Sequence, residues 1–261
     1  MKTNLKKYAF VLAIMVLMLS ACKKFGDVNI DPTRSSNLDP SLQLTNVQLR
    51  FSGDLEVNEK LGLVFTMPLV QQIGGIWLNR NGQFYVYDRN YLSSLWNNTY
   101  NNDVVNIVDA VNRTKNDPLK TNLNAICRIM KVYEFARITD VYGDIPYFEA
   151  GKAFTDGIVQ PKFDKQEEIY NDFFKELAEA SAQLDASKDA VKGDLFYNGG
   201  IASWKKFANS LRLRYALRLV KINPDKGKTE AQAAFTAGVF TSNAEMCKIV
   251  HQDVQNSYID I

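Results

Sequence analysis

Long apolar patterns with the spacing of an α-helix dominate this sequence and most restrict its fold. Within residues 201–222, apolar residues such as Ile201, Trp204, Ala208 and Leu211 recur every three or four positions, which is the period of one helix face. The same spacing predicts helices over about 91–113, 119–141 and 164–184, and a weaker helix over 228–237. Segments with the alternating pattern of a strand are scarce. The chain is therefore predicted to be all-α, and its short polar connections favour an array of helical repeats.

Aspartate, proline and glycine residues predict where the helices begin and break. Asp39 followed by Pro40 is a typical helix start, and Asp164 is predicted to be the N-cap of the helix over 164–184. The apolar segment 61–75 contains Pro68 and ends in two glycines, so a kinked or broken helix is expected there. Residues 76–90 are predicted to form a loop with a short extended piece at 84–87.

The first 21 residues have the three parts of a secretory signal peptide. Lysines occur among residues 2–7, residues 8–19 are apolar, and the stretch closes as LSAC at residues 19–22. The apolar run is short for a transmembrane helix, which needs about 20 such residues. The order LSAC resembles a bacterial lipobox, in which the cysteine becomes the first residue and carries lipid. Cys22 is therefore predicted to be lipidated, and a plain signal peptide with an incidental cysteine is the alternative.

The residues after the signal peptide are predicted to form, in order, a lipid anchor, a tether and a folded domain. Several acyl chains on Cys22 would hold the protein stably at a membrane, since each buried CH₂ contributes about 0.8 kcal/mol. Residues 22–39 are polar, contain Gly26 and Pro32 and lack an apolar period, so they are predicted to be a tether. Residues 40–261 are the predicted helical domain. No later segment is apolar for long enough to span a bilayer.

Charge and residue content argue against several classes of function. The chain has 31 basic and 29 acidic residues, and the three signal-peptide lysines account for the excess, so no basic surplus points to nucleic acid. His251 is the only histidine, which weakens Ser-His-Asp and Cys-His mechanisms. No catalytic residue, metal ligand or cofactor is predicted. Asp140, Asp144 and Glu149 lie close together, but a solvated loop explains them at least as well as a carboxylate pair for glycoside cleavage.

Aromatic and amide residues are concentrated in the loop 76–90. Trp77, Tyr85 and Tyr87 occur there together with Asn79 and Asn81. Aromatic rings can cover the C–H face of a sugar while amides bind its hydroxyl groups. Trp77, Tyr85 and Tyr87 are therefore the candidate ligand-binding residues. The alternative is that the rings are core anchors that pin the loop between helices, and the sequence leaves both interpretations open.

Two longer segments closely resemble signature segments of the SusD/RagB family, in particular its SusD-like lipoprotein branch. They are RITDVYGDIPYFEA at 137–150 and WKKFANSLRLRYALR at 204–218, and NIDPT at 29–33 follows the anchor cysteine as in that family. The resemblance extends in order over residues 22–248. Gly143 and Pro146 suit a helix exit, and the second segment is typical of a packing helix. Both segments are therefore predicted to determine the fold rather than a binding site.

The resemblance implies a tetratricopeptide-like helical-repeat body with irregular loops, lipid-anchored at the outer membrane of a Bacteroidetes-type bacterium and facing the cell exterior. Members of the family bind glycans or other oligomeric nutrients, pair with a SusC-like TonB-dependent transporter and do not cleave their ligands. They are considerably longer, so the chain is predicted to be the N-terminal portion of such a protein. Two alternatives are a surface glycoside hydrolase fragment and a purely structural lipoprotein that docks to the transporter.

Overall fold

The computed structural model of the chain describes residues 38–53, 57–75 and 80–251. All of these except Leu38 belong to a compact unit that begins at Asp39. The predicted signal peptide, the predicted lipidation site Cys22 and nearly all of the predicted tether lie outside the described residues. Within the described ranges, no helix is both long enough and apolar enough to cross a membrane.

Seven helices of ten or more residues form the framework of the described part. They are α1 (Pro40–Gly53), α2 (Arg89–Asn98), α3 (Val105–Thr114), α4 (Thr121–Tyr142), α5 (Gln166–Gln183), α6 (Ile201–Arg218) and α7 (Pro224–Ala237). Residues Asn58–Thr66 and Thr99–Val104 are π-helical, and the second of these joins α2 to α3. Short helical segments occur at Met67–Leu69, Arg80–Gln83 and Ala153–Asp156.

The all-α prediction is confirmed. The described residues form no β-strand, and one isolated antiparallel bridge joins Ile145 to Asp164. The helices predicted from apolar spacing are present with their ends shifted by a few residues. Consecutive helices from α3 to α7 pack against each other, and α1 packs against α3 and α4. This succession of neighbouring helices is the predicted helical-repeat arrangement.

Helix α4 lies at the centre of the core. Its buried residues include Ile126, Ile129, Met130, Phe135 and Ile138, none of which is exposed to solvent. These positions surround the helix rather than forming one stripe, which is the pattern of a helix enclosed on all sides. Helices α1, α3, α5 and α6 all contact it. Burial of such side chains contributes about 1.5–3 kcal/mol each relative to leaving them exposed.

Carboxylates that are distant in sequence close the first turns of two helices. Asp189 accepts hydrogen bonds from the backbone N–H groups of Asn122 (2.7 Å) and Leu123 (3.1 Å) at the start of α4. Asp144 accepts one from the N–H group of Gln166 at the start of α5 (3.0 Å). The first N–H groups of a helix have no partner within the helix. These two side chains therefore satisfy donors that α4 and α5 cannot satisfy themselves.

The predicted cap of α5 is wrong. The helix begins at Gln166, after Lys165, and Asp164 lies outside it. The Asp164 carboxylate instead accepts hydrogen bonds from the N–H groups of Tyr147 (3.0 Å) and Phe148 (2.8 Å). Its backbone takes part in the antiparallel bridge, so it cannot adopt the position of a helix cap. Asp144, 22 residues before Gln166, has the capping role instead.

Two other local predictions need correction. Residues Arg80–Gln83 are helical where a loop was expected, and residues 84–87 form a turn and an irregular piece rather than an extended one. Helix α7 begins at Pro224, four residues before the predicted start, because the Asn223 side chain accepts a hydrogen bond from the N–H group of Lys226 (3.2 Å). Asparagine at the N-cap followed by proline at the first position favours this start.

Asp194 organises the connection between α5 and α6. Its buried carboxylate accepts hydrogen bonds from Nε2 of Gln48 (2.8 Å) and Nε1 of Trp204 (2.7 Å). It also accepts them from the backbone N–H groups of Phe196 (3.1 Å) and Gly199 (2.8 Å). One side chain thereby joins α1, α6 and the loop before α6.

We predict that Asp194→Ala lowers the free energy of unfolding by roughly 2–4 kcal/mol, because several buried donors lose their acceptor together. Urea denaturation followed by circular dichroism measures the change. Asp225→Ala, an exposed position in the first turn of α7, is the matched control and should cost much less. Equal effects of the two substitutions would contradict the role given to Asp194.

Tyr142 joins the end of α4 to α2 within the first signature segment. Its hydroxyl donates to the carbonyl oxygen of Leu92 (2.5 Å) and accepts from the N–H group of Trp96 (3.3 Å). Its ring meets that of Trp96 edge to face at 5.3 Å. The next residue, Gly143, has φ +79°, a left-handed conformation that glycine adopts without strain. The segment therefore shapes the exit from α4, as predicted.

We expect Tyr142→Ala to lower the free energy of unfolding by roughly 2–4 kcal/mol, because the half-buried ring and both hydrogen bonds are lost. Tyr142→Phe keeps the ring and should cost about 1 kcal/mol. Thermal and urea unfolding of the two variants separate the contributions of ring and hydroxyl. A Tyr142→Ala protein as stable as the wild type would refute this structural role.

Candidate functional site

Three exposed aromatic side chains follow the helical segment Arg80–Gln83. Phe84 is largely exposed, and the exposed fractions of Tyr85 and Tyr87 are 72% and 77%. We call residues 84–87 the aromatic turn. Large rings that remain in water on a structured segment are costly unless they have a partner, which makes such a cluster a candidate interaction site.

The backbone of the aromatic turn is held in place. The N–H group of Tyr85 donates to the carbonyl oxygen of Gly82 (3.2 Å), and that of Val86 donates to Asn81 (2.8 Å). Tyr85 has φ +56°, which is uncommon for a residue with a side chain. A Cβ atom on Gly82 would lie 2.1 Å from the carbonyl oxygen of Phe65. Only glycine therefore lets this segment approach the neighbouring π-helical one so closely.

Asp88 connects the aromatic turn to α2. It is the N-cap of α2, and its Oδ1 atom accepts hydrogen bonds from the N–H groups of Asn90 (2.9 Å) and Tyr91 (3.4 Å). Its Oδ2 atom accepts one from Nδ2 of Asn81 (3.4 Å). The carboxylate thus spans the turn and fixes it to the start of a helix, so that the exposed rings are presented from a defined backbone.

The structure brings together two of the three predicted ligand-binding residues. Tyr85 and Tyr87 share the aromatic turn and are exposed, so the alternative that they are core anchors does not hold for these two rings. Trp77 and the neighbouring Asn79 lie outside the described residues. The side chain of Gln83 is engaged, since its Oε1 atom accepts a hydrogen bond from the N–H group of Gly75 (3.1 Å).

A further exposed ring escaped the sequence analysis. Phe163, which is 64% exposed, stacks on Trp96 of α2 with the ring centroids 5.8 Å apart and the planes inclined by 19°. Trp96 is half-buried in its helix. Phe163 is an isolated apolar residue in a polar connection, so no periodic pattern could have identified it.

The carboxylates close to Tyr142 are engaged in holding the backbone. Asp144 accepts a hydrogen bond from Nζ of Lys165 (2.6 Å), and Glu149 accepts one from the N–H group of Lys162 (2.9 Å). The hydrogen bond from Lys165 and that from the backbone of α5 lower the pKa of Asp144. A glycosidase acid needs a raised pKa, so Asp144 does not have the properties of that group.

Asp140 is also held by neighbours. Its Oδ1 atom accepts a hydrogen bond from the hydroxyl of Tyr170 (2.6 Å), and Arg218 forms an ion pair with its Oδ2 atom. Burial, followed by the hydrogen bond to Asp140, raises the pKa of Tyr170 to about 12. The described residues include no group of three or more histidine, cysteine or acidic side chains that could hold a metal ion.

Comparison with protein families identifies a broad match. The SusD-like_2 family, described as "Starch-binding associating with outer membrane", matches residues 32–260. No curated protein matches the chain significantly.

Several solved structures share the fold. A chitin-binding protein is 45% identical with a TM-score of 0.76, over 80% of this chain and 45% of that one. A protein described as "Bacteroidetes AC2a SusD-like" is 40% identical with a TM-score of 0.77, over 83% and 40% of the two chains. A chitin-binding SusD homolog from Flavobacterium johnsoniae is 29% identical with a TM-score of 0.67, over 82% and 45%.

The chain thus spans less than half the length of each of these three solved structures. Their similarity nevertheless covers 80–83% of this chain. Since the family match extends over residues 32–260, the chain belongs to the SusD-like family, described as starch-binding and associating with the outer membrane.

Proposed function

We propose that the chain is the glycan-binding part of a lipid-anchored outer-membrane protein that captures oligosaccharide for a SusC-like TonB-dependent transporter. The observation that carries this proposal is the pair of exposed tyrosines, Tyr85 and Tyr87, on a structured turn of a SusD-like chain. Two of the similar solved structures are described as chitin-binding. A neutral oligosaccharide, such as a chitin or starch oligomer, is therefore the proposed class of ligand.

The chemistry of the aromatic turn suits such a ligand. The C–H faces of a sugar are apolar and pack on the flat rings of tyrosine, while its hydroxyl groups need hydrogen-bonding partners nearby. Tyr85 and Tyr87 provide both a ring and a hydroxyl. The backbone around them is already fixed by Asn81, Gly82 and Asp88, so little ordering entropy is lost when a ligand binds.

We infer that the chain binds its ligand without cleaving it. Glycoside hydrolysis needs two carboxyl groups, one of them protonated, on either side of the scissile bond. The candidates Asp140, Asp144 and Glu149 are each held by backbone, hydroxyl or cationic donors. This argues against the alternative of a surface glycoside hydrolase fragment.

The proposed membrane location and the proposed transporter partner are inferred from the sequence and from the family match. The order LSAC at residues 19–22 supports lipidation at Cys22, and the family is described as associating with the outer membrane. Display on the cell exterior and pairing with the transporter are proposed from the SusD/RagB resemblance. Co-purification with the transporter separates this function from that of a hydrolase, and oligosaccharide binding separates it from that of a purely structural lipoprotein.

We predict that Tyr87→Ala weakens the binding of chitohexaose or maltohexaose by about 1–3 kcal/mol, the range for removal of an aromatic anchor. Tyr85→Ala and Trp77→Ala should act in the same direction. Isothermal titration calorimetry measures the dissociation constants, and circular dichroism establishes that each variant is folded.

Phe235→Ala is the matched control, because Phe235 is an exposed aromatic residue on α7, remote in sequence from the aromatic turn. It should leave affinity unchanged. Wild-type affinity in all three folded variants of the loop would reject the aromatic turn as the binding platform.

A second prediction concerns the anchor. Cys22→Ala should abolish metabolic labelling with a fatty-acid analogue and shift the protein from the detergent phase to the aqueous phase, or leave it held by an uncleaved signal peptide. The reason is that acylation needs the Cys22 sulfur and that acyl chains provide the membrane affinity. Ser20→Ala keeps the cysteine and a small residue, and it serves as the control. Persistent labelling of the Cys22→Ala protein would disprove lipidation at this residue.

A further inference from the structure

A cavity of about 650 Å³, lined by both polar and apolar groups, lies at one end of the helices α4, α5, α6 and α7. Its lining includes Asp140 near the end of α4, Tyr170 and Asn171 in α5, Arg218 at the end of α6 and Lys226 in the first turn of α7. The volume falls within the range of about 300–1,000 Å³ that is typical of small-molecule sites. No residue of the aromatic turn lines it.

The floor of this helix-end cavity is rigid. The hydroxyl of Tyr170 donates to Asp140, and Nη1 of Arg218 donates to the same hydroxyl at 3.1 Å while pairing with Asp140. The Tyr170 ring is buried against Phe173 and Tyr215. The three polar groups are therefore held in one arrangement before any ligand arrives.

Hydrogen-bond donors remain available around this floor. Within the described part of the chain, Arg218 uses Nη1 for both contacts, which leaves the N–H groups of Nε and Nη2. The side-chain oxygens of Asn171 and Asn223 both bind Lys226, one through Nζ and the other through its backbone N–H group. Engaging the oxygen of an amide leaves its two N–H groups as donors.

Charge and apolar surface restrict the kind of ligand. Arg218 and Lys226 balance Asp140 and Glu167, so the cavity favours neither an anion nor a cation. Leu219 and Ile222 supply an apolar wall, and Ile222 is 83% exposed. A neutral cavity with fixed donors, carboxylate acceptors and one apolar wall complements a molecule with many hydroxyl groups and apolar C–H faces.

We propose that the helix-end cavity is a second binding subsite for a neutral oligosaccharide, distinct from the aromatic turn. The proposal rests on the proposed function, since it assumes that the chain binds glycans. A ligand long enough to reach both surfaces would gain affinity from the cavity in addition to the aromatic turn.

The experiment uses the chain labelled with ¹³C at its isoleucine methyl groups and titrated with chitohexaose, then with maltohexaose. The Ile222 methyl signal, assigned with Ile222→Val, should shift and saturate. The Ile126 signal, from the centre of α4, should stay in place. Asn171→Ala should raise the dissociation constant read at Ile222 by about 3- to 10-fold, the value of one or two hydrogen bonds. Asn97→Ala, an exposed asparagine on α2, should not change it.

The outcomes separate the two proposals. Saturable shifts at Ile222 that persist in Tyr87→Ala and weaken in Asn171→Ala support a distinct subsite. If calorimetry detects binding that Tyr87→Ala removes while the Ile222 signal never moves, the cavity inference is overturned and the proposed function stands. An unchanged dissociation constant in Asn171→Ala also overturns it. If neither oligosaccharide binds the wild type, both proposals fall.

Discussion

The enclosure of α4 is the constraint on which the rest of the described structure depends. Helices α1, α3, α5 and α6 all pack against it, and residues such as Met130 and Phe135 have no exposed surface. A helix with apolar residues on several sides needs neighbours that cover each of those sides, whereas the last turn of α4, at Val141, remains exposed. The signature segment at its end then directs the chain away from the core, through Tyr142 and Gly143, toward the connection that precedes α5.

Close packing removes many N–H groups from water, and buried or partly buried carboxylates accept their hydrogen bonds. Asp189 caps α4, Asp144 caps α5, Asp164 holds the turn at Tyr147, and Asp194 ties the loop before α6 to α1. In each case a carboxylate oxygen accepts hydrogen bonds from backbone, amide or indole N–H groups that have no partner within a regular helix.

The same framework presents two chemically different surfaces. The aromatic turn is fixed by Gly82 and Asp88 and exposes Tyr85 and Tyr87, which suits stacking on a sugar ring. The helix-end cavity has a rigid floor of Tyr170 and its charged partners, which suits hydrogen bonding to hydroxyl groups. Stacking is tolerant of sugar identity, whereas fixed donors and acceptors discriminate between hydroxyl patterns. Together, the aromatic turn would bind many different sugars, and the helix-end cavity would favour those whose hydroxyl groups match its donors and acceptors.

Local pattern was sufficient for the fold class and the long helices, because apolar spacing and turn residues act over a few neighbouring positions. It left open whether Tyr85 and Tyr87 face the core or the solvent, and the tertiary structure decided that they are exposed. Local pattern assigned the cap of α5 to Asp164 and missed both the stacking of Phe163 on Trp96 and the convergence of Asp140, Tyr170 and Arg218. Those contacts join residues that lie tens of positions apart. The sequence by itself determined which long segments are helical, because apolar spacing acts between neighbouring turns of one helix. Only the tertiary structure decided which carboxylate meets which unsatisfied donor, because that choice depends on which helix ends are brought together when the core closes around α4.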